Sequence, residues 1–197
     1  MSVNAYLSQE ERTVLERVRV GVAGAGGLGS NCAMHLVRAG VRKLVLADFD
    51  VVTEANLNRQ FFFRDQIGEK KVSALADNLR RIEPGLELDL CEGRLDAEGC
   101  RKAFRDCDVV VEAFDSAEAK GMLYAALSDM KVVGASGLGG WGRSDAIRVR
   151  RVGANMVLVG DFESDVTEGA HPQSPRVGMA AAMEANAAIA LLLGLEL

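Results

Sequence analysis

A glycine-rich turn that directly follows a run of valines is the feature that most constrains the fold of this chain. Residues 18–23 form a short apolar run, the sequence Gly-Ala-Gly-Gly-Leu-Gly occupies 24–29, and residues 31–39 show a helical periodicity that stops at Gly40. A G-x-G-x-x-G pattern between a strand and a helix is typical of dinucleotide-binding α/β domains. We therefore predict a strand, a turn and a helix that open a Rossmann-like domain.

The glycines of this turn favour a bound phosphate for a physical reason. Residues without a Cβ permit a tight turn and a close approach of backbone to ligand, and the free amides and dipole at a helix start favour an anion by about 0.3–1 kcal/mol. We predict that Gly24, Gly26, Gly27 and Gly29 bind a nucleotide. A turn that only packs the helix on the strand remains the structural alternative.

Strand and helix patterns alternate downstream, which indicates a mostly parallel sheet flanked by helices. Further strands are predicted at 43–47, 86–91, 109–113 and 132–135, and further helices at 70–82, 97–104, 117–130 and 177–197. The runs 146–152 and 156–159 flank Gly153-Ala154-Asn155 like a hairpin, which predicts an antiparallel C-terminal extension of the sheet. We predict one domain over 1–197, with an N-terminal helix over 1–17.

Length and charge limit the classes of protein to which the chain can belong. A chain of 197 residues and 21.0 kDa is long enough to bury one continuous core. The net charge of −5, with no block of basic residues interleaved with aromatics, argues against nucleic acid as a partner.

The first eighteen residues are polar and acidic, unlike a signal peptide, so we expect a cytoplasmic protein with reduced cysteines. The apolar segment 177–197 carries Glu184 and Asn186, which favours a buried or interface helix over a membrane anchor. We therefore expect no membrane partner.

Polar residues after the second predicted strand indicate a polyphosphate ligand. Asp48 ends that strand at about the position where an acidic residue accepts hydrogen bonds from a ribose. Asn56, Arg59 and Lys71 follow, and two cations beyond the ribose acid suit the charge that develops when a nucleoside triphosphate loses pyrophosphate. A loop salt bridge for Arg59 and a solvated helix start for Lys71 are the alternatives.

Asp115 follows an apolar strand, at the carboxyl edge where such sheets bind ligands. Magnesium takes one or two protein carboxylates together with substrate phosphates and water, so a single aspartate suffices there. We predict Asp115 as a Mg²⁺ ligand, and an N-cap for the following helix is a compatible alternative.

Five motifs taken together give a specific resemblance. The runs Gly-Ala-Gly-Gly-Leu-Gly, Leu-Ala-Asp-Phe-Asp, Asn-Leu-Asn-Arg-Gln, Gly-x-Lys-Lys and Phe-Asp-Ser resemble the ThiF/MoeB/HesA family of sulfur-carrier adenylyltransferases, relatives of ubiquitin-activating enzymes. The resemblance spans most of the chain from Val18 onward. It is nearest to the short ThiF-like proteins of thiamine biosynthesis.

The resemblance implies activation of a small ubiquitin-like carrier, ThiS, whose C-terminal Gly-Gly carboxylate attacks the α-phosphate of Mg·ATP. Residues at the matching motif positions are Gly26 and Gly27 near phosphate, Asp48 at the ribose, Asn56, Arg59 and Lys71 at the phosphates, and Asp115 at the metal. Arg59, Lys71 and Asp115 would then be the catalytic residues. A homodimer is also implied.

Other functions stay open at this point. The carrier could instead belong to molybdopterin synthesis or to amino-acid sulfuration. A carboxylate on a nucleic acid is a further candidate substrate. An NAD-dependent oxidoreductase would share the turn and Asp48 but leaves Arg59, Lys71 and Asp115 without a common purpose. A non-catalytic module that only binds ATP is the third alternative.

The chain also departs from the family pattern. Its four cysteines, Cys32, Cys91, Cys100 and Cys107, include no Cys-x-x-Cys pair, so we expect packing residues, no zinc site and no cysteine for sulfur transfer. In relatives, an arginine from the N-terminal helix of one subunit often reaches the nucleotide phosphates bound by the other subunit. The motif that carries this arginine is missing here, and Arg12 is the candidate for the same role.

Two loops near the C-terminal half carry further expectations. The segment 161–176 corresponds to the loop that covers the carrier's tail in the family, and its His171 is expected to be solvated. The cluster 137–142 is interpreted as a turn capped by a packed Trp141, with a wall for an extended Gly-Gly peptide as the alternative.

Overall fold

Seven strands form one sheet in this computed structural model, which describes residues 6–164, 169 and 171–197. The strand order is β3-β2-β1-β4-β5-β7-β6, and every neighbouring pair is parallel except β6 with β7. This confirms the Rossmann-like α/β fold with an antiparallel C-terminal extension. The first five residues of the predicted N-terminal helix, and 165–168 and 170 of the 161–176 loop, lie outside the described residues.

The bounds of the elements are as follows. The strands are β1 (Arg19–Ala23), β2 (Lys43–Ala47), β3 (Glu87–Cys91), β4 (Val109–Glu112), β5 (Val132–Ala135), β6 (Arg148–Val152) and β7 (Met156–Gly160). The helices are α1 (Gln9–Arg17), α2 (Gly27–Ala39), α3 (Lys71–Arg80), α4 (Ala97–Phe104), α5 (Ala117–Ala126) and α6 (Ser174–Leu193). Short 3₁₀ turns cover Glu54–Asn58, Arg64–Gln66 and Ser144–Ala146.

Local signals explain where the helices begin and end. Ser8 and Glu11 form the predicted capping box of α1. Gly40 ends α2 with a φ of 114°, a left-handed conformation that glycine adopts without steric strain.

Several predicted helix boundaries were wrong, including the end of α6, which is Leu193 instead of Leu197. α2 begins inside the glycine motif at Gly27 instead of Asn31, and α6 begins at Ser174 instead of Val177, with Pro175 in its first turn. α5 ends at Ala126 rather than continuing to Met130. Each error lies at a helix end, where the apolar periodicity gives no information.

Two hydrophobic cores lie on opposite faces of the sheet. On one face α2, α3 and α6 cover the valines and leucines of the parallel strands, and on the other face α4 and α5 do so around the fully buried Phe104. Burial on both faces matches the continuous apolar runs of β1, β4 and β5. The chain reverses its direction of strand addition between β1 and β4, and ligands of such sheets bind at that point.

The helix α6 is long and apolar enough to cross a membrane by length and composition alone. Half of its most apolar window is buried inside the protein, where it packs against α2, β4, β5 and β7. Its Glu184 is fully buried. These contacts agree with the predicted buried helix.

Candidate functional site

The glycine turn joins the end of β1 to the start of α2, and its glycines differ in why they lack a side chain. Gly24 has a φ of 105°, and a Cβ at Gly29 would lie 1.8 Å from the carbonyl oxygen of Gly24. At Gly26, the N-cap of α2, the nearest atom to an added Cβ is Gln60 Nε2 at 3.9 Å. The alternative of a turn that only packs the helix on the strand therefore explains Gly24 and Gly29. At Gly26, by contrast, space stays open in front of the free amides of a helix start.

Asp48 connects the turn to the second predicted cation. Its Oδ2 accepts a hydrogen bond from the backbone N–H of Ala25 at 2.6 Å, and its Oδ1 accepts one from the N–H of Asp50 at 2.8 Å. The carboxylate of Asp50 in turn lies 2.8 Å from Nζ of Lys71. One continuous network of polar contacts thus links the glycine turn with the first residue of α3.

Lys71 is not the solvated helix start that the alternative interpretation describes. The residue is 6% exposed, and its ammonium is paired with Asp50. A buried lysine needs such a partner, because the loss of hydration is otherwise uncompensated. Asp50 therefore fixes the position of the Lys71 ammonium.

Arg59 lies beside the glycine turn. An added Cβ at Gly27 would be 3.4 Å from Cγ of Arg59 and 3.0 Å from Cγ1 of Val177, so an arginine stem and the first turn of α6 both touch this glycine. The guanidinium Nη1 donates to Oδ1 of the neighbouring Asn58 at 2.8 Å, and the described contacts of Arg59 include no ion pair. The loop salt bridge considered as its alternative role does not form among the described residues.

Asn56 supports the segment that carries Arg59. Its Oδ1 accepts from the N–H of Thr53 at 3.0 Å, and its carbonyl oxygen accepts from the N–H of Arg59 at 3.2 Å and of Gln60 at 2.9 Å. Asn31 ties the same segment to the turn, since its Nδ2 donates to the carbonyl oxygens of Gly27 and Arg59. In this structure Asn56 organises the loop.

Asp48 and Asp115 line one cavity of about 390 Å³ at the carboxyl ends of β2 and β4. Its other walls include Phe49, Arg94 and Phe114, and the guanidinium carbon of Arg94 stands 4.3 Å from the centre of the Phe49 ring. A cavity of this size is within the range of small-molecule sites. The structure thus brings the predicted ribose acid and the predicted metal ligand to the same opening.

Asp115 is exposed, and no hydrogen bond or ion pair engages its carboxylate within the described part of the chain. Ser116 is the N-cap of α5, with its Oγ accepting from the N–H of Ala119 at 3.2 Å, so the N-cap alternative for Asp115 was wrong. An exposed carboxylate beside a cavity retains its full capacity for a cation, and this donor chemistry fits Mg²⁺.

A buried polar cluster beneath the segment that carries Asp115 was not predicted from the sequence. Glu112, at the end of β4, accepts from the N–H of Phe114 at 2.7 Å, from Nζ of Lys120 at 2.7 Å and from the hydroxyl of Tyr124 at 3.0 Å. Glu112 therefore holds the segment that presents Asp115. In the sequence, Glu112 is only the last residue of an apolar strand, and nothing in that pattern indicates that it holds the following segment.

Glu184 of α6 faces the same cluster. Both of its carboxylate oxygens are buried and have no hydrogen-bond partner among the described residues. Burial, together with the negative charge of Glu112, raises the pKa of Glu184 well above its usual value, although Lys120 acts in the opposite direction. Burial and the charge of Glu112 thus both oppose ionisation of Glu184.

A second polar cluster ties the two ends of the 161–176 segment together. Arg176 in the first turn of α6 pairs with Asp161, which directly follows β7, and both side chains are almost fully buried. Burial opposes the charge of Asp161, but hydrogen bonds from Ser164 and Glu163 and the charge of Arg176 outweigh it and lower its pKa. Neither residue carried a recognisable pattern, because their contact depends on how the loop returns to the sheet.

The remaining predicted residues lie outside this network. Trp141 is 68% exposed, so the interpretation of a turn capped by a packed indole was wrong. His171 is exposed and Arg12 lies in α1, half-buried. All four cysteines are free thiols, and burial raises the pKa of each one, to about 11 for Cys100 and about 12 for Cys107.

Solved structures share this fold over almost the whole chain. The tRNA N6-threonylcarbamoyladenosine dehydratase TcdA of E. coli, in complex with AMP, superposes with a TM-score of 0.88 at 20% identity and covers 98% of this chain and 93% of that one. MccB of E. coli with ATP gives a TM-score of 0.72 at 19% identity, covering 92% of this chain and 57% of that one. At these identities the likeness concerns the fold.

Two curated proteins match part of the sequence at higher identity. Ubiquitin-like modifier-activating enzyme 5 of Drosophila melanogaster is 36% identical over 129 residues, 58% of this chain and 32% of its own length. The molybdopterin-synthase adenylyltransferase of Salmonella typhimurium is 34% identical over 124 residues, 62% of this chain and 50% of its own.

The chain therefore spans about a third to a half of the curated relatives it matches. A profile of one family nevertheless matches residues 2–197. Since that match covers nearly the whole chain, and since Asp48 and Asp115 lie at one cavity of the fold, the chain belongs to the ThiF family.

Proposed function

We propose that this chain adenylylates the C-terminal Gly-Gly carboxylate of a ubiquitin-like sulfur carrier with ATP and releases pyrophosphate. The observation that carries the proposal is that Asp48, whose carboxylate accepts a hydrogen bond from Ala25 of the glycine turn, lines one cavity with Asp115, while Arg59 lies beside the turn. Membership of the ThiF family and the likeness to adenylyltransferases and activating enzymes support it.

In the proposed reaction a carboxylate oxygen of the carrier attacks the α-phosphorus of ATP. A new carboxylate–phosphorus bond forms, the bond from the α-phosphorus to the bridging oxygen breaks, and pyrophosphate leaves with the electron pair of that bond. No proton transfer and no covalent enzyme nucleophile are needed for this step, so the protein acts by positioning and by charge stabilisation.

Each side chain has a defined task in this scheme. The free amides at the start of α2 receive phosphate, Asp48 receives the ribose, and the cavity that Phe49 and Arg94 border receives the base. Arg59 and Lys71 stabilise the charge on the phosphates, Lys71 from its fixed position beside Asp50. Asp115 would hold Mg²⁺, which supplies positive charge to the phosphates when bound.

We propose ThiS, the carrier of thiamine biosynthesis, as the substrate, because the five sequence motifs are nearest to the short ThiF-like proteins. Carriers of molybdopterin synthesis and of amino-acid sulfuration are the competing substrates within the same reaction. A cytoplasmic location and a homodimer belong to the same proposal.

ATP–pyrophosphate exchange tests this function. We expect exchange only when ATP, Mg²⁺ and a carrier with an intact Gly-Gly terminus are all present, and none with the same carrier shortened by its two glycines. Comparing purified ThiS with a molybdopterin carrier at equal concentrations decides between the substrates.

The same assay separates the other functions. NAD binding by calorimetry without exchange would favour an oxidoreductase. ATP binding without exchange by any carrier would favour a non-catalytic module, and either result would overturn the proposal.

A further inference from the structure

The segment between β4 and α5 carries Asp115, the proposed metal ligand, at the border of the cavity. The residue before Asp115 donates its N–H to the side chain of Glu112, and the residue after it, Ser116, caps α5. The carboxylate of Asp115 itself is exposed and makes no hydrogen bond or ion pair with the described residues. Its position therefore depends on the bonds of its neighbours.

Glu112 reaches both flanks of this segment with the two oxygens of one carboxylate. On the strand side, Oε1 accepts from the N–H of Phe114 at 2.7 Å. On the helix side, Oε2 accepts from Nζ of Lys120 at 2.7 Å and from the hydroxyl of Tyr124 at 3.0 Å. Lys120 and Tyr124 are one turn apart on α5, so both bonds hold the same face of that helix. A single side chain thus fixes the backbone on either side of Asp115.

Glu112 is fully buried, and its charge therefore requires these partners. A buried carboxylate that lacked a counter-charge and hydrogen bonds would lose its hydration without compensation. Lys120, whose side chain is 24% exposed, supplies the counter-charge. Burial and the charge of Glu112 raise the pKa of Tyr124, so the phenol keeps its proton and stays a donor. Three donors together specify the orientation of the Glu112 carboxylate.

The sheet leaves space for this cluster at Gly134 of β5, which is the register partner of Glu112. An added Cβ at Gly134 would collide with the hydroxyl oxygen of Tyr124 and would lie 3.2 Å from Oε2 of Glu112. A side chain at this position would push the phenol away from the carboxylate. The absence of a Cβ at Gly134 therefore allows Tyr124 to reach Glu112.

The segment that carries Asp115 also packs against the glycine turn. The N–H of Ala113 donates to the carbonyl oxygen of Ala23 at 2.8 Å, and an added Cβ at Gly24 would lie 2.6 Å from the carbonyl oxygen of Ala113. The backbone that leads to Asp115 is therefore in direct contact with the start of the proposed phosphate turn. A shift of this segment would change the distance from Asp115 to the proposed phosphates.

A magnesium ligand needs to be held in place, because Mg²⁺ demands near-octahedral geometry with short bonds to its oxygen ligands. Residues that orient a metal ligand without touching the metal commonly change metal affinity by about 10- to 100-fold when they are replaced. The side chain of Asp115 makes no polar contact of its own with the described residues. The task of orienting it therefore falls to the residues that fix its backbone.

We propose that Glu112, held by Lys120 and Tyr124, is the positioning residue that sets how tightly Asp115 binds Mg²⁺ beside the nucleotide. The proposal rests on the adenylylation function and on the metal assignment proposed above. Glu112 does not bind the metal itself, because it is fully buried and both of its oxygens accept hydrogen bonds from the protein.

Binding of Mn²⁺, which takes the same oxygen ligands as Mg²⁺ and has an EPR signal, measures this role without turnover. The full chain is saturated with a non-hydrolysable ATP analogue and titrated with Mn²⁺, with the analogue alone as the blank. We expect Glu112→Gln to raise the Kd for Mn²⁺ by about tenfold or more, because the neutral amide no longer attracts Lys120. The Kd for the analogue without metal, from calorimetry, should stay within about twofold.

Two milder variants keep the test valid if loss of the buried carboxylate lowers stability. Tyr124→Phe removes one donor and Lys120→Met removes the counter-charge, and each should raise the Kd for Mn²⁺ by about threefold or more. Lys120→Arg retains the charge and should restore most of the affinity. Tyr6→Phe and Lys102→Met change exposed residues and are the matched controls, with an unchanged Kd for Mn²⁺. Urea denaturation checks that every variant is folded.

Exchange kinetics give a second readout. In Glu112→Gln the Mg²⁺ concentration for half-maximal pyrophosphate exchange should rise by about tenfold, while the rate at saturating Mg²⁺ stays within about threefold. A purely structural loss would lower the rate at every Mg²⁺ concentration, and that result would contradict the positioning role.

The outcomes distinguish this inference from the proposed function. An unchanged Kd for Mn²⁺ in Glu112→Gln and Tyr124→Phe would overturn the positioning role, while carrier-dependent exchange would leave adenylylation standing. An unchanged Kd in Asp115→Ala would overturn the metal assignment and the inference together. If no carrier supports exchange, the proposed function fails, but the Mn²⁺ titration needs no carrier and still decides the inference.

Discussion

Asp48 joins three parts of the candidate site through the two oxygens of one carboxylate. One oxygen fixes the backbone of the glycine turn at Ala25, and the other fixes Asp50, which in turn pairs with Lys71. The acid predicted to receive a ribose therefore also sets the position of a predicted phosphate contact. A change at Asp48 affects both.

Asp115→Ala tests the metal assignment. We expect pyrophosphate exchange to fall by about 100-fold or more, because the proposed Mg²⁺ loses its protein ligand. The free energy of unfolding should change by no more than about 0.5 kcal/mol, because the Asp115 side chain is exposed and makes no hydrogen bond or ion pair with the described residues. Urea denaturation measures the second value.

The matched control for this change is Asp65→Ala, which removes an exposed carboxylate from a 3₁₀ turn. It should retain normal exchange. Full activity of Asp115→Ala across a range of Mg²⁺ concentrations would remove Asp115 from the metal site.

Glu184→Gln should make stability less dependent on pH. The pKa of Glu184 is raised in the folded protein, so its contribution to stability is fully present below the unfolded pKa, near 4.5, and is lost as pH rises toward the folded pKa. The variant avoids that loss. The free energy of unfolding of the variant minus that of the unchanged protein should therefore be larger at pH 8 than at pH 5.

Thermal unfolding at both pH values checks this prediction. Glu118→Gln, on the exposed start of α5, should show no such difference. A Glu184→Gln variant with the same pH dependence as the unchanged protein would show that Glu184 is charged when folded.

At this scale the sequence indicated candidate residues but not their partners. Asp48, Arg59 and Asp115 were predicted because each follows a recognisable strand or motif, and their binding roles stay predictions. The pairing of Lys71 with Asp50 and of Arg176 with Asp161 depends on where loops return in three dimensions. The exposure of Trp141 was likewise invisible, since a glycine cluster is compatible with both a covered and an open indole.

At the scale of elements, the start of α2 combines a folding task with a proposed binding task. Gly29 lies so near the carbonyl oxygen of Gly24 that no side chain fits, whereas Gly26 has free space around it. The same six-residue motif therefore contains two glycines that the fold requires and one, Gly26, that the fold does not require and that the proposed ligand would explain.

Two alanine substitutions separate these tasks. Gly29→Ala should lower the free energy of unfolding by about 3 kcal/mol or more, because a Cβ at 1.8 Å from a backbone oxygen forces the turn apart. Gly26→Ala should keep stability within about 1 kcal/mol and weaken ATP binding about tenfold.

Chemical denaturation and calorimetry with ATP supply the two values. Gly121→Ala, in a helix position with nothing within 4 Å of an added Cβ, serves as control for both. Unchanged ATP affinity in Gly26→Ala would place the phosphates away from the start of α2.

The order and type of the elements followed from apolar runs and glycine stops, and each predicted strand is present in the sheet. The boundaries of α2 and α6 did not follow, because both helices begin with small or polar residues that carry no periodicity. The Gly-Gly-Leu-Gly part of the motif is already helical, which a pattern of apolar spacing does not reveal.

At the scale of the whole molecule, one edge of the sheet gathers everything proposed for function. The glycine turn, Asp48 and Asp115 stand at the carboxyl ends of β1, β2 and β4. The reversal of strand order between β1 and β4 opens the crevice there.

We expect the protein to be a homodimer in solution. Multi-angle light scattering should give twice the 21.0 kDa of one chain. Several apolar side chains of α6 remain partly exposed in a single chain, among them Met179 and Met183, and their burial would favour association. A mass of one chain at micromolar concentration would contradict the expectation.

The contact between Val177 and Gly27 has a consequence for synthesis on the ribosome. Translation makes the glycine turn early, but α6, whose Val177 lies beside Gly27, emerges only after all seven strands have been made. A nascent chain arrested before Ser174 would have a glycine turn with one flank open. If the start of α2 binds ATP as proposed, the nucleotide would therefore be enclosed on this flank only after α6 has emerged from the exit tunnel.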